Sequence, residues 1–269
     1  MEWLRRSAAP LSAKVWNEVD EIAGTMFKQT VVARRILDFD GPRGWNHVST
    51  QLGTFKPVQT SQDAGKVKMS VPDVMLLTEL RADFAIPWAD IDIFERVGPT
   101  LESKSIEDAA REMALAEDAL LFFGSSASPG VLTARETPRV ALSDWSQPGR
   151  IVADLLAAVE KLDTLSIKGP YEAVLSPHHY YSYLRYTGEG GAYPAAKQLG
   201  IVIAKVHNST VVDGAVLFST RGGDFLATVG GDFTIGYRAH DTEAVHLFCV
   251  ETIAAQLLTP EAVCLIRPS

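Results

Sequence analysis

Ser219-Thr-Arg-Gly-Gly-Asp-Phe225 and, close behind it, Gly230-Gly-Asp-Phe-Thr-Ile-Gly-Tyr237 are the stretches from which the fold is read. Their glycines punctuate two short apolar runs, Phe225–Val229 and Phe233–Tyr237, and glycine at such points supplies turn and bulge geometries that other residues resist. The pattern predicts a β-meander. Strand-like runs at Ala215–Ser219 and Val245–Ile253 flank it, which predicts a sheet-rich C-terminal block. No residue pattern in it points to catalysis.

Further out, the periodicity changes. Leu11, Val15, Val19, Ile22 and Met26 recur at helical spacing after Ser12, predicting an amphipathic helix of about four turns. Gly41-Pro-Arg-Gly-Trp45 breaks regular structure. From His47 to Leu80 polar residues dominate, Pro57 and Pro72 limit pairing, and Asp63-Ala-Gly65 marks a turn. About thirty residues this poor in apolar side chains cannot carry a core unless another subunit covers them. Leu80–Ile86 reads as a strand and Trp88–Arg96 as a short helix. Ser105–Phe123 is the clearest helix, with Ile106, Ala109, Ala110, Met113, Leu120 and Leu121 on one face, Ser105 and Asp108 as a capping box, and Gly124 as its stop. A Ser/Pro/Gly-rich boundary at 125–149 precedes a smaller α/β unit: a helix through Ile151–Leu162, a strand at Ala173–Leu175, a helix capped by Ser176-Pro177, a short helix at Pro194–Leu199 and a strand at Ile201–Val206. Ala262–Ile266 returns to strand character.

The chain has 269 residues, 46% hydrophobic and 22% charged, with 25 Lys+Arg against 33 Asp+Glu and a net charge of −8. That balance argues against nucleic acid as an electrostatic partner. Cys249 and Cys264 sit in apolar runs outside any C-x-x-C pattern, which favours reduced thiols and a cytoplasmic setting. No run reaches the length needed to cross a bilayer, and no secretory signal is expected. The six histidines form no chelating spacing, and no metal is expected. Gly188-Glu-Gly-Gly-Ala-Tyr193 lacks the strand and Lys-Ser/Thr of a phosphate loop, and no serine lies in G-x-S-x-G. Asp90 with Asp92, and Glu117 with Asp118, read as solvated faces. Arg34 and Asp38, four apart, read as a surface ion pair, and Arg81 and Trp88 as a cation and an aromatic able to stack on a planar anion.

Met1-Glu-Trp-Leu-Arg-Arg-Ser-Ala-Ala-Pro-Leu11, Gly41-Pro-Arg-Gly-Trp45, Glu79-Leu-Arg81, Gly169-Pro-Tyr171, Tyr193-Pro194, Arg221-Gly-Gly-Asp-Phe225, Ile235-Gly-Tyr237 and Glu251-Thr252 follow one another as in the encapsulin shell proteins, also called the linocin or bacteriocin family. The resemblance spans essentially the whole chain. It implies an α+β, tailed-phage major capsid fold with a peripheral domain, an axial domain and an extended loop. On this chain the parts fall at 1–46 (N-terminal helical region and start of the peripheral domain), 47–84 (extended loop arm), 85–139 (peripheral domain with the spine helix), 140–222 (axial domain) and 223–269 (peripheral C-terminal sheet). The resemblance further implies a non-enzymatic homo-oligomeric shell of about sixty copies. Such a shell encloses a ferritin-like ferroxidase or a dye-decolourising peroxidase by gripping its C-terminal targeting peptide, with no nucleic acid or membrane partner. Phe27, Arg34, Asp38 and Ile235 match the peptide groove; Gly188, Gly190, Gly191 and Tyr193 match the five-fold pore. Some relatives bind flavin through residues matching Arg81, Trp88 and Tyr193; here the Arg81–Trp88 spacing is one residue shorter and Pro87 intervenes, which counts against a flavin, so no cofactor is expected. The alternatives are a defective-prophage capsid packaging DNA, which the acidic balance disfavours, and a secreted enzyme or bacteriocin, which lacks a catalytic constellation.

Overall fold

The structure, a computed structural model, describes residues 2–59, 67–187, 200 and 202–268. In chain order its elements are helix α1 (Ala13–Thr30), strands β1 (Asp38–Asp40), β2 (Ser49–Val58), β3 (Met69–Leu76) and β4 (Thr78–Pro87), and helices α2 (Trp88–Arg96) and α3 (Lys104–Phe123). Strand β5 (Arg139–Ala141), helix α4 (Pro148–Thr164), strand β6 (Tyr171–Leu175) and helix α5 (Pro177–Thr187) follow. The chain closes with strands β7 (Ile203–Asn208), β8 (Ala215–Ser219), β9 (Phe225–Val229), β10 (Thr234–His240), β11 (Ala244–Leu257) and β12 (Val263–Arg267). The expected turn at Asp63–Gly65 and helix at Pro194–Leu199 lie outside the described residues.

The long strand β11 organises the first sheet. β4 runs antiparallel along one edge, from Pro87 opposite Ala244 to Thr78 opposite Ile253. On the other edge β10 covers Val245–Val250 and β9 covers Ile253–Leu257, with β1 added parallel to β9. The expected meander is therefore corrected: β9 and β10 do not pair with each other but lie end to end along one edge of β11. Gly230–Phe233 forms a bulge opposite only Glu251 and Thr252, pinned by Gly230 N–H to Thr252 O (2.8 Å), Thr252 N–H to Gly231 O (2.9 Å) and Gly231 N–H to Thr252 Oγ1 (2.7 Å). Periodicity shows two apolar runs but not which strand each pairs with.

One face of this sheet is covered by α1 and α3. Ser12 caps α1 by accepting from Val15 N–H, and Val15, Val19, Ala23 and Phe27 turn inward. Alternate residues of β11, Val245, Leu247 and Cys249, meet them. The other face, Phe248 and Val250, packs on Leu4 and Trp45. Helix α3 starts two residues earlier than its sequence cap suggests: Ser103 is the N-cap, its hydroxyl donating to Glu107, and Gly124 ends the helix at φ 75°.

The second sheet has the order β5-β12-β8-β6-β7, with β5/β12 and β6/β7 parallel. β6 and β8 are buried at every position, and the last turn of α3, Leu120–Phe122, extends into the same core. Ala215–Ser219 and Val263–Arg267 thus belong here, and 223–269 contributes to both sheets. Short all-apolar runs carry no mark of the sheet they join. The passage from β8 to β9 is the Arg221-Gly-Gly-Asp turn: Gly222 and Gly223 adopt φ of 86° and 80°, Arg221 pairs with Asp224 (2.8 Å), and Asp38 Oδ2 accepts from Gly223 N–H (2.6 Å).

β2 and β3 form a separate antiparallel ribbon, paired from Ser49–Leu76 to Val58–Met69. Its side chains are largely exposed, Phe55 at 67% and Val71 at 49% among them.

Candidate functional site

The Gly230–Phe233 bulge pushes Asp232 and Phe233 away from the sheet toward α1. Between them lies a cavity of about 370 Å³ lined by Phe27, Lys28, Arg34, Asp232, Phe233 and Ile235 among others. Phe27 and Phe233 stack with ring centroids 4.2 Å apart and planes 17° apart. Arg6 closes one end, bound to Asp20 (2.6 Å) and reaching Ile235 O (3.4 Å). The result is a cleft in which apolar and charged side chains are mixed in the lining.

Arg34 is the hub of its wall. The expected Arg34–Asp38 helical pair is not formed, because α1 ends at Thr30, Arg34 sits in a 3-10 turn (Ala33–Arg35) and Asp38 begins β1. Arg34 instead binds three carboxylates: Nε donates to Glu117 (2.8 Å), Nη1 to Asp232 (2.8 Å) and Nη2 to Glu251 (3.0 Å). Burial alone would disfavour the charged guanidinium, but the hydrogen bond and charge of Glu117, with Asp232 and Glu251, hold its pKa above the ordinary value. The turn is fixed from beneath by Asp118, which accepts from the N–H groups of Val32 (3.0 Å) and Ala33 (2.7 Å). Burial pushes the Asp118 carboxyl up to about 7, against those hydrogen bonds.

Glu117 and Asp118 were expected on a solvated face; both are fully buried. The signal was present in the sequence: Glu117 lies four residues from both Met113 and Leu121, inside the apolar stripe of α3, and Glu251 shares the β11 face of Cys249 and Ile253.

The chain matches the family described as "Encapsulating protein for peroxidase" over residues 1–254. It is 32% identical over 272 residues to a type 1 encapsulin shell protein of Rhodospirillum rubrum, covering 99% of this chain and 97% of that one. A second, from Brevibacterium linens, is 32% identical, covering 97% and 98%. The chain belongs to the encapsulin shell-protein family. Its fold is similar to that of a virus-like particle from Pyrococcus furiosus, with TM-score 0.70 at 15% identity, covering 94% of this chain and 99% of that chain. It is also similar to the capsid of Myoviridae phage XM1, with TM-score 0.60 at 10% identity, covering 86% and 89%. The tailed-phage capsid fold expected from the sequence is the fold observed, and an encapsulin shell protein is a subunit of a multi-copy shell.

Within this encapsulin subunit the other sequence-matched residues are dispersed. Phe27, Arg34 and Ile235 share the cleft; Asp38 is not part of its lining and instead accepts from Gly223 N–H at the β8–β9 turn. Arg81 stacks on Phe248 (3.7 Å to the ring centroid) on one face of the sheet, whereas Trp88 packs with the helical cluster on the other and donates to Asp241 O (2.9 Å). Gly188, Gly190, Gly191 and Tyr193 lie outside the described residues. Among the described residues no cluster of His, Cys, Asp or Glu is placed to hold a metal ion, and no helix is long and apolar enough to cross a membrane.

Proposed function

We propose that the protein is the non-enzymatic subunit of a closed icosahedral shell of about sixty copies, enclosing an enzyme whose C-terminal peptide docks in the cleft between α1 and the β9–β10 bulge. The observation that carries this reading is the cleft itself, which brings the apolar Phe27, Phe233 and Ile235 together with the charged Lys28, Arg34 and Asp232. An apolar trough with a few fixed polar groups suits a short peptide held weakly at each site, and several tails on an oligomeric cargo multiply the grip.

The cargo in this reading is a ferritin-like ferroxidase or a dye-decolourising peroxidase, which gives the shell a role in iron storage or oxidative stress. Its small substrates pass through pores at the shell vertices. No flavin is included, since Arg81 and Trp88 face apart. The compartment is the cytoplasm, in keeping with Cys249 and Cys264, both free and buried, their thiols pushed up to about 12 by burial. The test is purification of the protein from its own cells, with imaging and mass spectrometry of the contents. Hollow particles holding one of these enzymes support the reading; particles filled with nuclease-protected DNA support a prophage capsid instead.

A further inference from the structure

Three carboxylates around one guanidinium leave excess negative charge in a site where two of them, Glu117 and Glu251, have no exposure at all. Buried charge without compensation is strongly disfavoured. Both oxygens of Glu117 accept from Arg34 Nε (2.8 and 3.0 Å), and Glu251 Oε2 accepts from Nη2, yet Glu251 Oε1 is buried with no partner. A proton on that oxygen leaves Glu117 as the single buried carboxylate charge opposite Arg34, with Asp232 half-exposed to water, and supplies a donor for Glu117.

We propose that Glu117 and Glu251 share one proton beneath Arg34, and that the pair, acting through Arg34 and Asp232, positions the Phe233 wall of the cleft. The linkage is continuous. Asp232 Oδ1 accepts from Arg34 Nη1 and from Phe233 N–H, both at 2.8 Å, and Phe233 stacks on Phe27. The groups facing the pair are Arg34 and, nearer Asp118, Arg35 from the turn after α1; Asp118 from α3; Asp232 from the bulge; and Cys249 from β11. Burial raises both carboxyls, with Arg34 opposing; Glu251 rises well above the usual range because the charge of Glu117 adds to burial. As pH falls, Glu117 takes up a second proton. Arg34 then loses its strongest partner and is released toward the cleft, where it can meet a carboxylate of a docked peptide. That last consequence rests on the docking reading above; the shared proton does not.

Phenylglyoxal labelling of the assembled protein, with no peptide present, tests the proposal. Arg34 modification is quantified by peptide mass spectrometry relative to exposed Arg135 in the same sample, so the pH dependence of the reagent cancels. The expected ratio is several-fold higher at an acidic pH than at an alkaline one, both chosen within the range in which the shell stays assembled. Glu117→Gln makes it high at both values, whereas Glu251→Gln, which mimics the protonated acid, keeps the wild-type level at the higher pH. A wild-type ratio that does not change with pH, or equal effects of the two glutamines, overturns the proposal. If Glu117→Gln does not assemble, the wild-type ratio and Glu251→Gln still decide. Failure of the docking reading would instead appear as shells without enzyme and with this labelling pattern intact.

Discussion

The indole of Trp45 covers the Cα of Gly231 so closely that a methyl group there would overlap the ring. Trp45 cannot easily retreat, since it meets Trp3 edge-on (4.6 Å between centroids) and packs on the cluster of Leu4, Phe248 and Val250. Gly231 is thus required by the packing of the bulge that shapes the cleft. Gly231→Ala is expected to cost about 1–3 kcal/mol, the usual range for overpacking. Thermal unfolding measures it, and the cost should shrink in a Trp45→Ala background, where the overlap is gone.

Asp118 makes stability depend on pH in a definite direction. Its folded pKa, about 7, lies above the ordinary 3.8, so the folded chain holds that proton more tightly than the unfolded one. The contribution is fully present below about pH 4 and is lost as pH rises toward about 7. Asp118→Asn replaces one of the two oxygens that accept from the N–H groups of Val32 and Ala33 with an NH2 donor and is less stable throughout, but it lacks this drop. The difference in melting temperature between wild type and Asp118→Asn is therefore expected to narrow as pH rises through that window; a constant difference would rule the idea out.

How much of this was legible in the sequence differs by element. α1, α2, β4 and α3 follow from local periodicity, because one face of each is apolar over several turns or pairs. The β2–β3 ribbon falls in the stretch that the sequence marks as poor in apolar residues, although the exposed Phe55, Val71 and Val74 make its surface less polar than composition implied. Strand partnership was not legible: β9, β10 and β12 are short runs whose neighbours are set by tertiary packing. Phe27, Arg34 and Ile235 came from resemblance and meet in one cleft. Glu117 was read as part of a solvated face and Glu251 was given no role, because a carboxylate inside an apolar stripe reads as an exception until its cation, Arg34, is placed beside it in space.

That network changes the mutation best suited to test docking. Arg34→Ala strips the cation from two buried glutamates, a loss on the order of 3–5 kcal/mol, so subunit folding suffers before cargo does. Phe233→Ala, by contrast, removes one half of the Phe27 stack at the cleft and leaves the carboxylate network in place. The expected result is intact shells with several-fold less enclosed enzyme, read as the cargo-to-shell ratio on a denaturing gel. Asp38→Ala, which costs the Gly223 N–H its acceptor, is expected to lower stability by about 1 kcal/mol with a smaller effect on loading.

The β2–β3 ribbon invites the most direct test of assembly. Phe55, Val71 and Val74 are exposed in the isolated subunit, so they add little to its own fold, and a paired ribbon with exposed apolar side chains is a surface that a neighbouring copy can cover. Burying each large apolar side chain at such a contact is worth about 1.5–3 kcal/mol, and a closed shell repeats the contact in every subunit. Phe55→Asp combined with Val74→Asp should therefore leave a folded subunit with an unchanged circular dichroism spectrum while abolishing large particles. Size-exclusion chromatography should then show material near 29.2 kDa in place of megadalton assemblies. Shells that still form with both charges in place would mean that the ribbon is not the surface that holds neighbouring copies together.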